Sequence, residues 1–316
     1  MSPSERGRGL ARVVAASLAL AAFAPVGVCL VPLAILLAAS RPRTWPERVA
    51  TAAVAALALV WLLEPGDPPD QLARAAALLS GAAFALATFY SQSSVTHRAL
   101  LALMVTAIAL GLLFPLLGWS WDSVRWWVEH RTGFGVRLAL GQLAARPPDA
   151  GSGSTVPELE RWLETGVGLL ADHFAAVLAV QVLAGLGLTA AIYYRVSQQP
   201  AGVPPGAFRD FRFSEHLGWV AAVALAIVLL PRLAAAKLAA VNLLLVAALL
   251  YALRGAAVTA FGLALMGGGA GWGTAALFGL LAVFIFPAAV VGAIVLGLLD
   301  AGLDLRRRWA APPSRE

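Results

Sequence analysis

The chain has 316 residues, of which 60% are hydrophobic and 13% charged, and its mean hydropathy is +0.81. A soluble domain carries about 25% charged residues, so the composition excludes a soluble globular protein and leaves no stretch able to solvate an independent enzyme domain. The formal charge of +6 does not imply nucleic acid, because the basic residues stand at the ends of apolar runs, which is the positive-inside pattern rather than a phosphate-binding face.

A transmembrane helix needs about 20 apolar residues, and shorter ones are tolerated in bundles. In chain order, Val13 to Ser40 is uncharged and interrupted by Pro25, Gly27 and Pro32, which predicts two short helices meeting at a bend. The first follows Arg6, Arg8 and Arg12 and ends in Ala22-Phe23-Ala24, but Pro25 makes a poor cleavage site, so the run is read as a span rather than a signal peptide. Further runs are Val49 to Leu63, Ala75 to Tyr90, Ala99 to Gly118, Phe174 to Tyr194, His216 to Pro231 and Leu238 to Leu253. Gly255 to Leu299 is uncharged throughout and broken by glycines at 267, 268, 269 and 271, which predicts a helical hairpin. The expected fold is all-α, a polytopic bundle of roughly eight to ten spans with interfacial external helices. Its expected organisation is an N-terminal bundle over 1–118, an external amphipathic segment over 119–172, a C-terminal bundle over 173–309 and a disordered tail over 310–316.

Arginine placement orients the spans. Arg41, Arg43 and Arg48, then His97 and Arg98, then Arg195, Arg209 and Arg212, and finally Arg306 to Arg308 would all be cytoplasmic. The acidic turn Glu64 to Asp67 and the segment Trp119 to Asp172 would be external. Satisfying every group requires a turn near Arg254 and about ten spans; one long helix from Lys237 to Met266 gives nine and places the last arginines outside. In the external segment Trp121, Val124 and Val128 share one face, while Asp122, Arg125 and Glu129 share another and can pair at i+3 and i+4. Trp119, Trp121, Trp126 and Trp127 suit the headgroup layer, and Thr155 with Glu158 forms a capping-box pattern before Leu159, Trp162, Leu163 and Leu170. A structural cap on the bundle and a lid or partner platform are both open to this segment.

No catalytic constellation is present: there is no His-Glu-x-x-His, no Walker lysine, no Gly-x-Ser-x-Gly and no close set of metal ligands. Cys29 is the only cysteine, which excludes an intrachain disulfide and a thiolate cluster. His97, His130, His173 and His216 are scattered at helix ends, and the glycines from 267 to 273 lack a following lysine. No enzyme, cofactor or metal is expected. More informative are polar groups inside apolar windows, since burying them in hydrocarbon costs a few kcal/mol unless they are paired. These are Gln181, Lys237, Asn242, Arg254, Asp300 and Asp304. Asp300 and Asp304 share a helix face at i+4, Asp304 in turn faces Arg308, and Arg254 and Asp300 can reach the same side and pair. A structural clamp and a substrate site both fit this pair, and Asn242 can serve as helix glue. Ala11, Ala15 and Ala19 form a small-residue stripe suited to close helix packing.

Three stretches carry a family resemblance: Ala240-Val241-Asn242-Leu243-Leu244-Leu245-Val246, Leu250-Tyr251-Ala252-Leu253-Arg254-Gly255-Ala256-Ala257-Val258, and Gly297-Leu298-Leu299-Asp300-Ala301-Gly302-Leu303-Asp304-Leu305-Arg306-Arg307-Arg308. Together they resemble the YybS-like family of bacterial multi-spanning membrane proteins of unknown function, in detail over about residues 206 to 309. The family pattern has an Asn in the first stretch, a Gln-Gly pair in the second and a Gly-Leu-x-Asp ending in basic residues in the third. Arg254 stands where that family usually has glutamine. The family is distantly similar to the substrate-binding membrane subunits of energy-coupling-factor vitamin transporters, where a small-residue stripe on the first helix meets a membrane partner. The resemblance implies that Ala11, Ala15 and Ala19 hold that place.

Two functions follow as expectations for this protein of the inner membrane, with both termini cytoplasmic and the lipid bilayer as its surroundings. One is a small-molecule uptake component energised by another protein, with a cavity between the N-terminal spans and the segment around Asn242. The other is a membrane scaffold or regulator that docks a partner through the Tyr194 to Glu215 loop and the Arg306 to Arg308 end.

Overall fold

The computed structural model describes residues 26–116, 118–144, 156–265 and 286–310. The small-residue stripe at Ala11, Ala15 and Ala19, the first apolar run, the Thr155 cap, the glycine turn from 267 to 273 and the tail beyond 310 lie outside the described residues. Among the described residues all regular structure is helical. Five helices are long and apolar enough to cross a membrane, and three shorter apolar helices accompany them. The chain divides between Pro204 and Pro205 into two compact units.

The first unit contains α1 (Gly27–Ala39), α2 (Trp45–Leu63), α3 (Pro68–Tyr90), α4 (Val95–Leu116), α5 (Trp121–Ala144), α6 (Val156–Asp172) and α7 (Phe174–Val196). Short α1 is its centre, packed on α2, α3 and α7, with Val28, Leu33, Leu36 and Leu37 in the core. Pro32 was expected to interrupt this run, yet it lies inside α1. Pro32 has no N–H to offer the Val28 carbonyl; at the neighbouring residue α7 adds a side-chain bond, with Thr189 Oγ1 donating to the Cys29 carbonyl at 3.0 Å. Gly185 of α7 leaves room for the Val28 carbonyl, which lies 2.9 Å from where a Cβ would stand.

Several helices begin one to two turns before their uncharged windows. The capping box of Thr44 and Glu47 starts α2, Asp70 lies in the first turn of α3, and Arg98 is inside α4. Helix N-termini favour acidic groups, and long arginine stems can be buried alongside apolar neighbours. The arginine-rich ends then gather: Glu47 Oε1, in the first turn of α2, accepts at 2.7 Å from the backbone N–H of Gln198, which follows α7. At the opposite end of the same helices Arg131 of α5 reaches Asp70 at 2.7 Å and Asp67 at 4.0 Å. The acidic turn and the α5–α6 pair therefore share one side of the unit, and the Arg41 and Gln198 loops share the other.

The side chains of α5 divide between two environments. Val124 and Val128 are buried, while Arg125 pairs with Glu129 at 3.1 Å and with Asp172 at 3.0 Å. Trp162 and Leu169 of α6 are exposed.

The second unit contains α8 (His216–Leu229), α9 (Lys237–Leu265), α10 (Phe286–Leu303) and α11 (Leu305–Ala310). The expected turn near Arg254 is absent, because α9 is one continuous helix through that position. Its local sequence contains no proline there and Gly255 alone, and Arg254 sits about 26 Å along the axis from Lys237, close to the thickness of a hydrocarbon core. The charge thus needs no break in the helix to approach the far boundary. The expected alignment of Asp300, Asp304 and Arg308 along one helix is also corrected. The helix stops at Leu303, and Asp304 adopts a left-handed φ of 47° and pairs instead with Arg212 at 2.9 Å.

Candidate functional sites

In the second unit the buried charges converge on Asp300, whose side chain is 0% exposed. Arg254 Nε donates to Asp300 Oδ2 at 2.8 Å, and Arg254 Nη2 donates to the Asp300 carbonyl at 3.1 Å. Arg306 closes the other side, with Nη2 at 2.7 Å from Oδ2 and Nε at 3.3 Å from Oδ1. The left-handed turn at Asp304 brings Arg306 back toward Asp300, something a continued helix would not do. Arg306 Nη1 then donates to the carbonyls of Arg209 at 2.9 Å and Phe211 at 3.1 Å, so the basic C-terminal end and the loop before α8 lie on one side. The Arg254 guanidinium stands 5.4 Å from the Phe213 ring centroid, a cation–π contact that covers part of the second positive charge.

This arrangement is a clamp. Two guanidiniums surround a single carboxylate, and backbone carbonyls take Arg254 Nη2 and Arg306 Nη1, while Arg254 Nη1 has no hydrogen-bond partner among the described residues. Asn242 lies away from it on α9, donating from Nδ2 to the Leu238 carbonyl of its own helix at 2.9 Å. Gln181 is half-buried on α7 of the other unit. Of the intramembrane polar candidates, the structure brings together Arg254 and Asp300. It adds Arg306, whose role was masked in the sequence by the basic run around it.

The first unit holds a second buried arginine. Arg98 is 0% exposed, donates to the Val203 carbonyl and has Nη1 at 3.4 Å from the Tyr194 hydroxyl. Tyr194 Oη is within hydrogen-bonding distance of the Ala201 and Val203 carbonyls, at 2.7 and 2.8 Å, and the Tyr193 hydroxyl accepts from the Ala201 N–H at 2.9 Å. Gly202, with φ +73°, completes the turn, and a Cβ there would fall 2.6 Å from both Arg98 Nη1 and the Thr88 carbonyl. Arg98 thus latches the segment after α7. Replacing Arg98 with methionine should leave the bundle folded and speed proteolytic cutting between Ser197 and Pro204 severalfold, read by limited digestion in detergent; an unchanged digestion rate would deny the latch. Nothing beside Arg98 in the sequence announces this, because its partners lie about a hundred positions away.

Near the opposite end of the first unit a cavity of about 310 Å³ opens among α3, α4, α5 and α7, lined by Leu72, Leu103, Leu110, Phe114, Trp121 and Val182 among others. Its walls are apolar. Thr106 lines it, but that hydroxyl is already spent on the Ala102 carbonyl at 2.7 Å. The Trp121 Nε1–H is buried with no acceptor among the described residues, and an indole N–H ordinarily finds one when buried. Phe114 holds the Trp121 ring by stacking at 6.3 Å. Among the described residues there is no group of His, Cys, Asp or Glu that could hold a metal ion.

Helices long and apolar enough to span a membrane, with helical structure throughout the described residues, define the class as an α-helical polytopic membrane protein. Within that class, residues 11–301 match the family described as predicted membrane protein (DUF2232), and the chain belongs to it. Neither the curated proteins nor the solved structures contain a match.

Proposed function

We propose that this protein is the small-molecule-binding component of a membrane uptake system, holding a mainly apolar guest in the cavity beneath Trp121. The cavity carries the reading. Its volume of about 310 Å³ falls within the range of ligand sites, ~300–1,000 Å³. The almost wholly apolar lining favours a mainly apolar guest. The resemblance of the C-terminal third to the YybS-like family, and more distantly to the membrane subunits of energy-coupling-factor transporters, supports the same reading. Energy would come from a partner protein, and no chemistry is performed on the guest.

The test is to fill the cavity. Ala179 also lines it, and Ala179→Phe is expected to abolish guest retention while leaving the melting temperature within a few degrees of the parent, since the ring occupies existing space. Retention by Ala179→Phe equal to the parent would place the guest elsewhere.

The orientation belongs to the same proposal. The arginine-rich ends and both termini face the cytoplasm of an inner-membrane protein, and α5–α6 faces outward; although α9 runs on without the turn that charge alone required, the Arg306 contacts to the Arg209 and Phe211 carbonyls keep the C-terminal end on the side of the arginine-rich loop before α8. With Cys29 replaced, a cysteine at Gln142 should react with an impermeant reagent in intact cells and one at Gln199 should not; the reverse pattern would invert the assignment. A scaffold reading rests on the Arg98 latch and the Arg306 contacts, which order the loop segments a cytoplasmic partner would meet. It gains ground if the cavity proves empty of any guest.

A further inference from the structure

A second cavity, of about 250 Å³, lies at the arginine-rich end of the first unit, between the loop joining α1 to α2 and the segment following α7. Arg41, Arg43, Ser40, Thr51, Gln198 and Gln199 are among its walls. Its one carboxylate is Glu47, and that group is occupied: Oε2 accepts from the N–H groups of Arg43 at 3.0 Å and Thr44 at 3.1 Å and from Thr44 Oγ1 at 3.2 Å. Oε1 accepts from the Gln198 N–H at 2.7 Å. Glu47 therefore fastens the two loops that form the cavity and is not the partner of the arginines. No ion pair among the described residues includes Arg41 or Arg43. Two exposed arginines line the cavity beside one fully hydrogen-bonded carboxylate, so its lining residues carry an excess of positive charge.

The backbone adds an independent observation. Arg41 has a φ of +55° at the end of α1, where Ser40 and Arg41 N–H groups close the helix onto the carbonyls of Leu36 and Ala38. Glycine is the usual residue in that left-handed position, and a residue before proline, here Pro42, has its choices narrowed further. Arginine is held there against its own conformational preference, as residues at binding sites often are. The setting is a membrane boundary: Trp45 is 77% exposed beside the cavity, in the manner of an interfacial anchor.

We infer that this cavity binds a phosphate group, held bidentately by Arg41 and Arg43 with the Gln198 and Gln199 side chains completing its shell. The phosphate is that of an anionic phospholipid in the adjoining leaflet or of a soluble phosphate compound, and the two are separable. This site is independent of the apolar cavity beneath Trp121 and would stand if that cavity held nothing.

The test uses the full chain, delipidated in detergent and then given phosphatidylglycerol, phosphatidylcholine or inorganic phosphate, with retention read by native mass spectrometry and stability by thermal unfolding. The double variant Arg41→Gly, Arg43→Gln removes both guanidiniums, and glycine relieves the left-handed strain, so its melting temperature without ligand should equal or exceed that of the parent. The parent should retain phosphatidylglycerol over phosphatidylcholine, and the variant should lose about tenfold or more of that affinity. If inorganic phosphate alone stabilises the parent and displaces the lipid, the ligand is a soluble phosphate; if it does neither while phosphatidylglycerol binds, the ligand is the lipid. Equal retention by parent and variant, or no preference for either phosphate source over phosphatidylcholine, overturns the inference.

Discussion

Replacing Asp300 with leucine is expected to be the most damaging single charge substitution in the second unit. The change removes the one carboxylate that Arg254 and Arg306 share and leaves two guanidiniums buried at 4% and 3% exposure. Breaking a buried pair by deleting one partner costs about 3–5 kcal/mol, and here the deletion strands two. Arg254→Leu should cost less, since Asp300 keeps Arg306. The double Arg254→Leu, Asp300→Leu should recover little, because Arg306 is then buried with only the Arg209 and Phe211 carbonyls. Adding Arg306→Leu should restore folded yield beyond the double, as apolar replacement of a whole buried cluster is often neutral or better. Monodisperse yield and thermal unfolding of the four variants give the order. Full recovery in the double would show that Arg306 is no member of the clamp.

The second large effect is expected at the crossing of α9 and α10. A Cβ on Gly255 would run into the Ala293 carbonyl oxygen, and one on Gly297 into the Tyr251 carbonyl oxygen. These obstacles are backbone, so no side chain can swing aside. Small residues at membrane helix crossings permit this approach, and an added methyl must push the helices apart. Gly255→Ala and Gly297→Ala should each destabilise by at least the ~1–3 kcal/mol typical of overpacking. Gly292, on the same helix, has nothing within 4 Å of its Cβ position; Gly292→Ala should be neutral or stabilising by up to about 1 kcal/mol. A uniform response from all three glycines in thermal unfolding would mean that the crossing does not depend on close approach.

Some of this architecture was legible in the sequence because the bilayer imposes it. Apolar runs of spanning length become helices, since no other open structure satisfies the backbone in hydrocarbon. Their starts lie one to two turns earlier than charge placed them, as at Glu47, Asp70 and Arg98. Arg254 and Asp300 could be read as partners because an isolated charge in an apolar window requires one. The same logic misled at the backbone: the topology argued from charge demanded a turn at Arg254, whereas the paired side chain lets the helix run on. Arg306 was hidden by its arginine neighbours, and the left-handed Asp304 that redirects it carries no strong local signal. Arg98 and the cavity under Trp121 depend on segments far apart in the chain, which no window of sequence brings together.

The most direct measurement is identification of what co-purifies with the full chain from native membranes, parent against Ala179→Phe, by mass spectrometry after gentle extraction. A mainly apolar, non-phospholipid molecule is expected near one equivalent in the parent and absent from Ala179→Phe. Bulk phospholipid alone, in equal amounts from both proteins, would contradict it.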